Sequence, residues 1–171
     1  MKVAWNAYRA KDMDSALRLA RLAALLSDSH SKPWRASQEL QARAALALGN
    51  RDYAQKALNR LLAAHPKHPG GLQLRGELRL AAGDAKGALA DLSASQLGQQ
   101  KAGGKPSRAQ ARSLAKRAQA FLLAGDLASA VADTKLAYQA NPRHWEVLYT
   151  VSLVLEKQQK FLPALQFMER A

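Results

Sequence analysis

The chain has no cysteine. That excludes disulfides and thiolate metal ligands, yet it suits cytosol, periplasm and organelle lumen alike, with the cytoplasm placed ahead of the other two. Aromatic residues make up only 6% and prolines number six. A strand-rich, collagenous or disordered class is therefore not indicated. No run of about 18 apolar residues is present, so a membrane-spanning helix is not expected. The opening residues, Met1-Lys2-Val3-Ala4-Trp5-Asn6-Ala7-Tyr8-Arg9, lack a signal-type apolar block, and the chain reads as soluble. Acidic residues are also scarce: 13 Asp and Glu stand against 26 Lys and Arg, a net charge of +13. Such an excess draws anions at long range, whether nucleic acid, acidic protein segments, anionic polysaccharide or acidic lipid.

What the chain does have is alanine and leucine, with 48% hydrophobic residues in 171, and an internal repeat. A turn residue followed five positions later by alanine recurs as Lys11 and Ala16, Gly49 and Ala54, Gly83 and Ala88, Gly125 and Ala130, Gln159 and Ala164. The interval from Gly49 to Gly83 is 34 residues, as is that from Gly125 to Gln159. Between Gly83 and Gly125 it is 42, and the eight extra residues fall in 96–107, which holds Gly98, Gly103, Gly104 and Pro106. Ala16 and Ala54 are 38 apart, placing a smaller insertion near 27–33.

Apolar residues recur three and four apart on both sides of each turn, as in Leu114, Ala118, Phe121 and Leu122, then Leu127, Ala130, Val131, Thr134 and Ala137. That period is helical. Pro66 and Pro142 end second helices. The spacing predicts helices over 13–27, 33–48, 51–64, 69–82, 85–96, 107–124, 127–140, 143–158 and 161–171. The fold class is all-α, a row of antiparallel helix pairs.

In these residues the chain resembles the tetratricopeptide repeat family. The family's second helix carries a small residue and a larger apolar one four later, matched by Ala54 and Leu58, Ala88 and Leu92, Ala130 and Thr134, Ala164 and Met168. Its first helix carries a bulky residue and then a small one, matched by Leu72 and Gly76, Leu114 and Ala118, Leu148 and Ser152. The small side chains let helices approach closely. Departures are Gln38, where a bulky apolar residue is usual, Arg75 and Arg117 at a position often apolar, and the polar Thr134. The resemblance implies a right-handed superhelical solenoid of about five repeats in one domain, at 1–30, 33–66, 67–100, 108–142 and 143–171, with 97–107 as an inserted basic loop. Because such arrays normally close with a polar capping helix, while this chain stops at Met168-Glu169-Arg170-Ala171, a fragment of a longer protein, or an end covered by a partner, is expected.

Chemical sites do not emerge. His65 and His68 flank Pro66 in a predicted loop, His30 stands apart and His144 begins a helix; no clustered carboxylate completes a metal shell, and His144 reads as a cap or an exposed residue. Gly103-Gly104-Lys105-Pro106-Ser107 is not a phosphate loop, since the glycine spacing is wrong, Pro106 separates Lys105 from Ser107 and no strand precedes it. Ser93, Ser95 and Ser113 have no nucleophile signature. Asp12 and Asp14 sit where acidic residues favour a helix N-terminus. The expectation is no catalysis, no metal and no cofactor.

The resemblance implies that ligand contact falls on the first helix of each repeat. The candidates are Trp5, Tyr8, Arg9, Glu39, Arg43, Gln73, Glu77, Arg112, Lys116, Gln119, Tyr149 and Glu156. Some family members grip a terminal carboxylate with Lys, Asn and Arg on successive first helices. Here only Arg43, Arg112 and Lys116 are basic at such places, and Asn6, Asn50, Asn59 and Asn141 sit mainly at helix ends or on second helices. A basic patch, Lys101, Lys105, Arg108, Arg112, Lys116 and Arg117, is interrupted by no acidic residue. Arg108, Arg112 and Lys116 line one helix face and repel one another unless an anion is near. The functional expectation is a scaffold that holds a peptide or helix of a partner protein. The alternative is binding of an acidic polysaccharide or nucleic acid, which for single strands wants stacking aromatics that this track lacks. Nothing in the sequence fixes an oligomeric state.

Overall fold

A computed structural model describes residues 1–29, 31–97 and 106–160, together with Pro163, Gln166 and Glu169. The described helices are α1 (Lys2–Arg9), α2 (Met13–Leu25), α3 (Lys32–Ala47), α4 (Arg51–Ala64), α5 (Pro69–Ala81), α6 (Ala85–Leu97), α7 (Arg108–Leu123), α8 (Leu127–Ala140) and α9 (Trp145–Lys157). No strand occurs among the described residues. The periodic segments fall where the sequence puts them, to within about two residues at most ends. Helix α1 has no counterpart among the expected spans. The inserted loop over 97–107 and the helix over 161–171 lie largely outside the described residues.

Five turns organise the chain. Lys11, Gly49, Gly83, Gly125 and Gln159 all have positive φ, between 61° and 82°. At each, the following amide reaches back over the turn: Asn50 N–H to the Ala45 carbonyl at 2.8 Å, Asp84 to Arg79 at 2.9 Å, Asp126 to Phe121 at 2.9 Å. This is the left-handed helix stop that glycine adopts without strain. At the first four turns the residue that follows then starts the next helix. Asp12, Asn50, Asp84 and Asp126 accept from the amides of Ser15, Tyr53, Gly87 and Ser129 at 2.8–3.1 Å. One dipeptide thus closes one helix and caps the next. The hydrogen bonds from Ser15 and Ser129 hold the Asp12 and Asp126 carboxyls below the usual carboxylate range. Lys11 and Gln159 bear the strain that a side chain meets at positive φ.

The chain divides into two compact units, Met1–Arg75 and Gly76–Ala171. In the first, α1 packs on α2, α2 on α3, α3 on α4, and α1 also meets α3. Its core is alanine-rich: Ala4, Ala20 and Leu40 are buried, with Trp5, Tyr8 and Leu19 against them. In the second, α6 packs on α7, α7 on α8, α8 on α9, and α7 on α9. Ala111, Leu114, Ala115, Ala137 and Val147 form one buried cluster, and Ala88, Leu92 and Ala120 another. The small residues have a steric reason: a Cβ on Gly76 would stand 2.8 Å from Leu92 Cγ, so any larger residue there pushes the helices apart.

The polar departures from the repeat pattern are partnered. Buried Gln38 accepts from Arg60 Nε at 3.2 Å. Gln41 accepts from the Tyr53 hydroxyl at 2.8 Å. Thr134 donates to the Ala130 carbonyl at 2.7 Å. Burying such groups is tolerable because each has its hydrogen bond.

Candidate interaction surface

Basic side chains at helical spacing on α7 should repel one another, and the fold answers them with carboxylates. Arg112 Nε donates to Glu146 Oε2 at 2.6 Å, Arg112 Nη2 to Glu77 Oε2 at 3.0 Å, and Lys116 Nζ lies 2.9 Å from Glu146 Oε1. Glu77 is on α5 and Glu146 on α9, so α7 is tied to a helix on either side. Only 5% of the Glu146 side chain is exposed, and its position in the first turn of α9 also suits the helix dipole.

Arg117 lies on another face and makes a two-pronged bond to buried Asp133, at 2.6 and 2.7 Å. The preceding repeat has a related pair, Arg79 to Asp91 at 2.8 Å. Both aspartates stand three residues after the repeat alanine, Ala88 or Ala130. That recurrence is readable in the sequence, and it explains why Arg117 is tolerated where an apolar residue is usual. Arg108 is exposed at the start of α7. Lys101 and Lys105 lie outside the described residues.

The other candidates separate by unit. In the first, Trp5 and Tyr8 meet edge to face, with ring centroids 5.8 Å apart, and Trp5, Lys2, Asn6 and Arg9 border a shallow concavity of about 470 Å³. Arg43 is engaged with Glu39 through two nitrogens, at 3.0 and 2.7 Å. Glu39 also faces His68 Nε2 at 3.9 Å and fills the space a Cβ on Gly70 would need, 2.6 Å away. His68 accepts from the Gly71 amide through Nδ1, and burial holds its pKa below the ordinary histidine value, with Arg35 adding to the effect and Glu39 opposing it. Gln73 is half-buried on α5.

In the second unit, Gln119 donates to Thr150 Oγ1 at 2.8 Å and Tyr149 is exposed. Gln119 and Glu156 come together in a groove of about 470 Å³ with Leu80, Leu122, Leu123 and Leu153. Reasoning from sequence missed those leucines. The available signal is the adjacency of Leu122 and Leu123, because two neighbouring helical positions cannot both face one core. Leu123 is 51% exposed.

His144 caps α9, accepting from the Glu146 amide at 3.2 Å. Among the described residues no group of three metal-ligating side chains converges. No helix of the described residues is long and apolar enough to cross a membrane.

No family model and no curated protein sequence matches this chain. Solved structures do. PilF of Pseudomonas aeruginosa is 14% identical, with a TM-score of 0.76 over 97% of this chain and 70% of its own. A MamA fragment from Desulfovibrio magneticus RS-1 is 16% identical, with a TM-score of 0.69 over 98% of this chain and 88% of that one. A Podosopora anserina protein of kinesin light chain type, with nearly identical TPR-like repeats, is 18% identical, with a TM-score of 0.71 over 99% and 90%. At these identities the likeness concerns the fold, which is the all-α helical repeat of tetratricopeptide type.

Proposed function

We propose that the protein is a non-enzymatic scaffold whose first-helix faces hold a peptide or helical segment of a partner protein. The supporting observation is the groove lined by Leu80, Leu122, Leu123 and Leu153 together with Gln119, Glu156 and Lys157. An apolar floor with a few polar groups suits a bulky side chain anchored in a peptide. The charge arrangement on α7 favours the same reading. Arg112 and Lys116 are already engaged by Glu77 and Glu146, so a polyanion would have to compete with carboxylates that the fold places there. Glu77, Arg112, Lys116, Gln119 and Tyr149 then act as a mixed polar border that sets the register of the bound segment. Trp5, Tyr8, Arg9, Arg43 and Gln73 are the proposed counterparts in the first unit. The five-repeat division of the chain belongs to the same proposal.

Selection from a random phage-displayed peptide library tests it, followed by affinity measurement against a Leu123→Glu variant. The half-exposed position lets that variant fold. Selected peptides should carry an aliphatic or aromatic anchor and lose about tenfold or more in affinity to the variant. Failure to enrich any peptide, or displacement of all selected peptides by an oligonucleotide or heparin, would favour the polyanion reading instead.

A further inference from the structure

We propose that the first unit carries a second docking site, between its second helices α2 and α4, for an acidic peptide segment that bears a bulky apolar side chain. Its lining also takes Trp34, Gln38 and Gln41 from the first helix α3, but it shares no residue with the first-helix candidates named above. A groove of about 360 Å³ lies there, with Leu25, Trp34 and Tyr53 in its lining and Arg21 and Arg60 beside them. Among the described residues no carboxylate lines it.

Three observations define the occupant. The last turn of α2 leaves leucines bare: Leu22 is 56%, Leu25 82% and Leu26 88% exposed. Their i, i+3, i+4 spacing puts them on one helix face, an apolar patch where a helix normally shows polar residues. Second, the cations bordering the groove are not spent. Arg21 makes no hydrogen bond or ion pair among the described residues, and Arg60 uses only Nε, toward the neutral Gln38 at 3.2 Å. A guanidinium with free Nη groups is shaped for a carboxylate. Third, the first unit is the more basic: Met1–Arg75 holds thirteen Lys and Arg against five Asp and Glu. An acidic peptide supplies both halves of the match, an apolar side chain for the leucines and tryptophan and carboxylates for Arg21 and Arg60. A nucleic acid supplies only the charge. Its bases would want the Trp34 ring, which lies against His65 with centroids 6.1 Å apart.

The test uses a fluorescein-labelled peptide of alternating glutamate and aspartate with one leucine and one phenylalanine, followed by fluorescence anisotropy. The protein variants are Leu25→Ser, Arg60→Glu and, as a control in the other unit, Leu123→Glu, each checked by circular dichroism. The expected result is saturable binding to the parent, weakened about tenfold or more by Leu25→Ser and by Arg60→Glu and unchanged by Leu123→Glu. Loss with Leu123→Glu alone would assign the peptide to the first-helix groove and overturn the second site while leaving the scaffold reading intact. No binding to the parent would overturn it as well. So would equal affinity for a peptide with alanine at both apolar positions or for oligodeoxythymidylate, since charge alone would then suffice. Self-association of the parent that Leu25→Ser abolishes would assign the patch to a second copy of the chain.

Discussion

Glu146→Gln keeps the shape of the buried side chain and removes its charge, leaving Lys116 facing a neutral amide and Arg112 with Glu77 as its remaining carboxylate. Hydrogen bonds to charged groups contribute about 1.5–3 kcal/mol each when buried, but Arg112 is 39% exposed, and solvent recovers part of what it loses. A net loss of about 2 kcal/mol follows, which in a chain of this size lowers the melting temperature by about 4–8 °C. Urea denaturation followed by circular dichroism measures it. A double-mutant cycle with Arg112→Gln isolates the pair, with an expected coupling of about 1 kcal/mol. The same substitution frees Lys116 of its carboxylate and leaves Arg112 one of its two, so affinity for a polyanion such as heparin should rise while affinity for the selected peptides changes little. A Glu146→Gln protein within about 0.3 kcal/mol of the parent, at the low end of exposed pairs, would mean that the Glu146 carboxylate adds nothing to what solvent and Glu77 already give Arg112 and Lys116.

Other outcomes follow from the same structure. Gly125→Ala should cost about 1–2 kcal/mol by backbone strain alone, because no atom stands within 4 Å of the added Cβ; Gln159→Gly, at φ 61°, should stabilise by up to about 1 kcal/mol, both read by thermal melting. Ala88→Leu and Ala130→Leu should each destabilise by about 1–3 kcal/mol through overpacking, since both alanines are fully buried; unchanged melting would contradict the packing. His68 has a folded pKa below the ordinary 6.5 because burial disfavours its charged form. The unfolded chain therefore takes up this proton first as pH falls through 6.5, and stability should decline there. His68→Asn, which can still accept from the Gly71 amide, should flatten that part of the urea-midpoint profile against pH.

The helices and turns were legible because their causes are local. Five recurring turn residues mark five positive-φ stops, and after four of them the following Asp or Asn marks the next cap; the three-and-four spacing of Ala and Leu does the rest. Helix α1 escaped because Lys2 to Arg9 is short and precedes the first turn, with no earlier repeat to set its register. The charge pattern on α7 was legible only in part. The spacing of Arg112 and Lys116 shows that they share a face, but the carboxylates that meet them come from positions 34 and 35 residues away from Arg112 and 30 from Lys116. Those pairings exist only once neighbouring helices pack. The leucine groove and the bare end of α2 were hidden for a related reason: periodicity says which residues share a face, and packing decides whether that face is covered.

The most direct measurement is amide chemical-shift mapping of the isotope-labelled protein with a library-selected peptide. The largest shifts should fall around Gln119, Leu123, Tyr149 and Leu153, on α7 and α9, with the same residues silent toward an oligonucleotide at moderate salt. Shifts confined to the second helix α8, or a stronger response around Arg112 and Lys116 to the oligonucleotide than to the peptide, would contradict it.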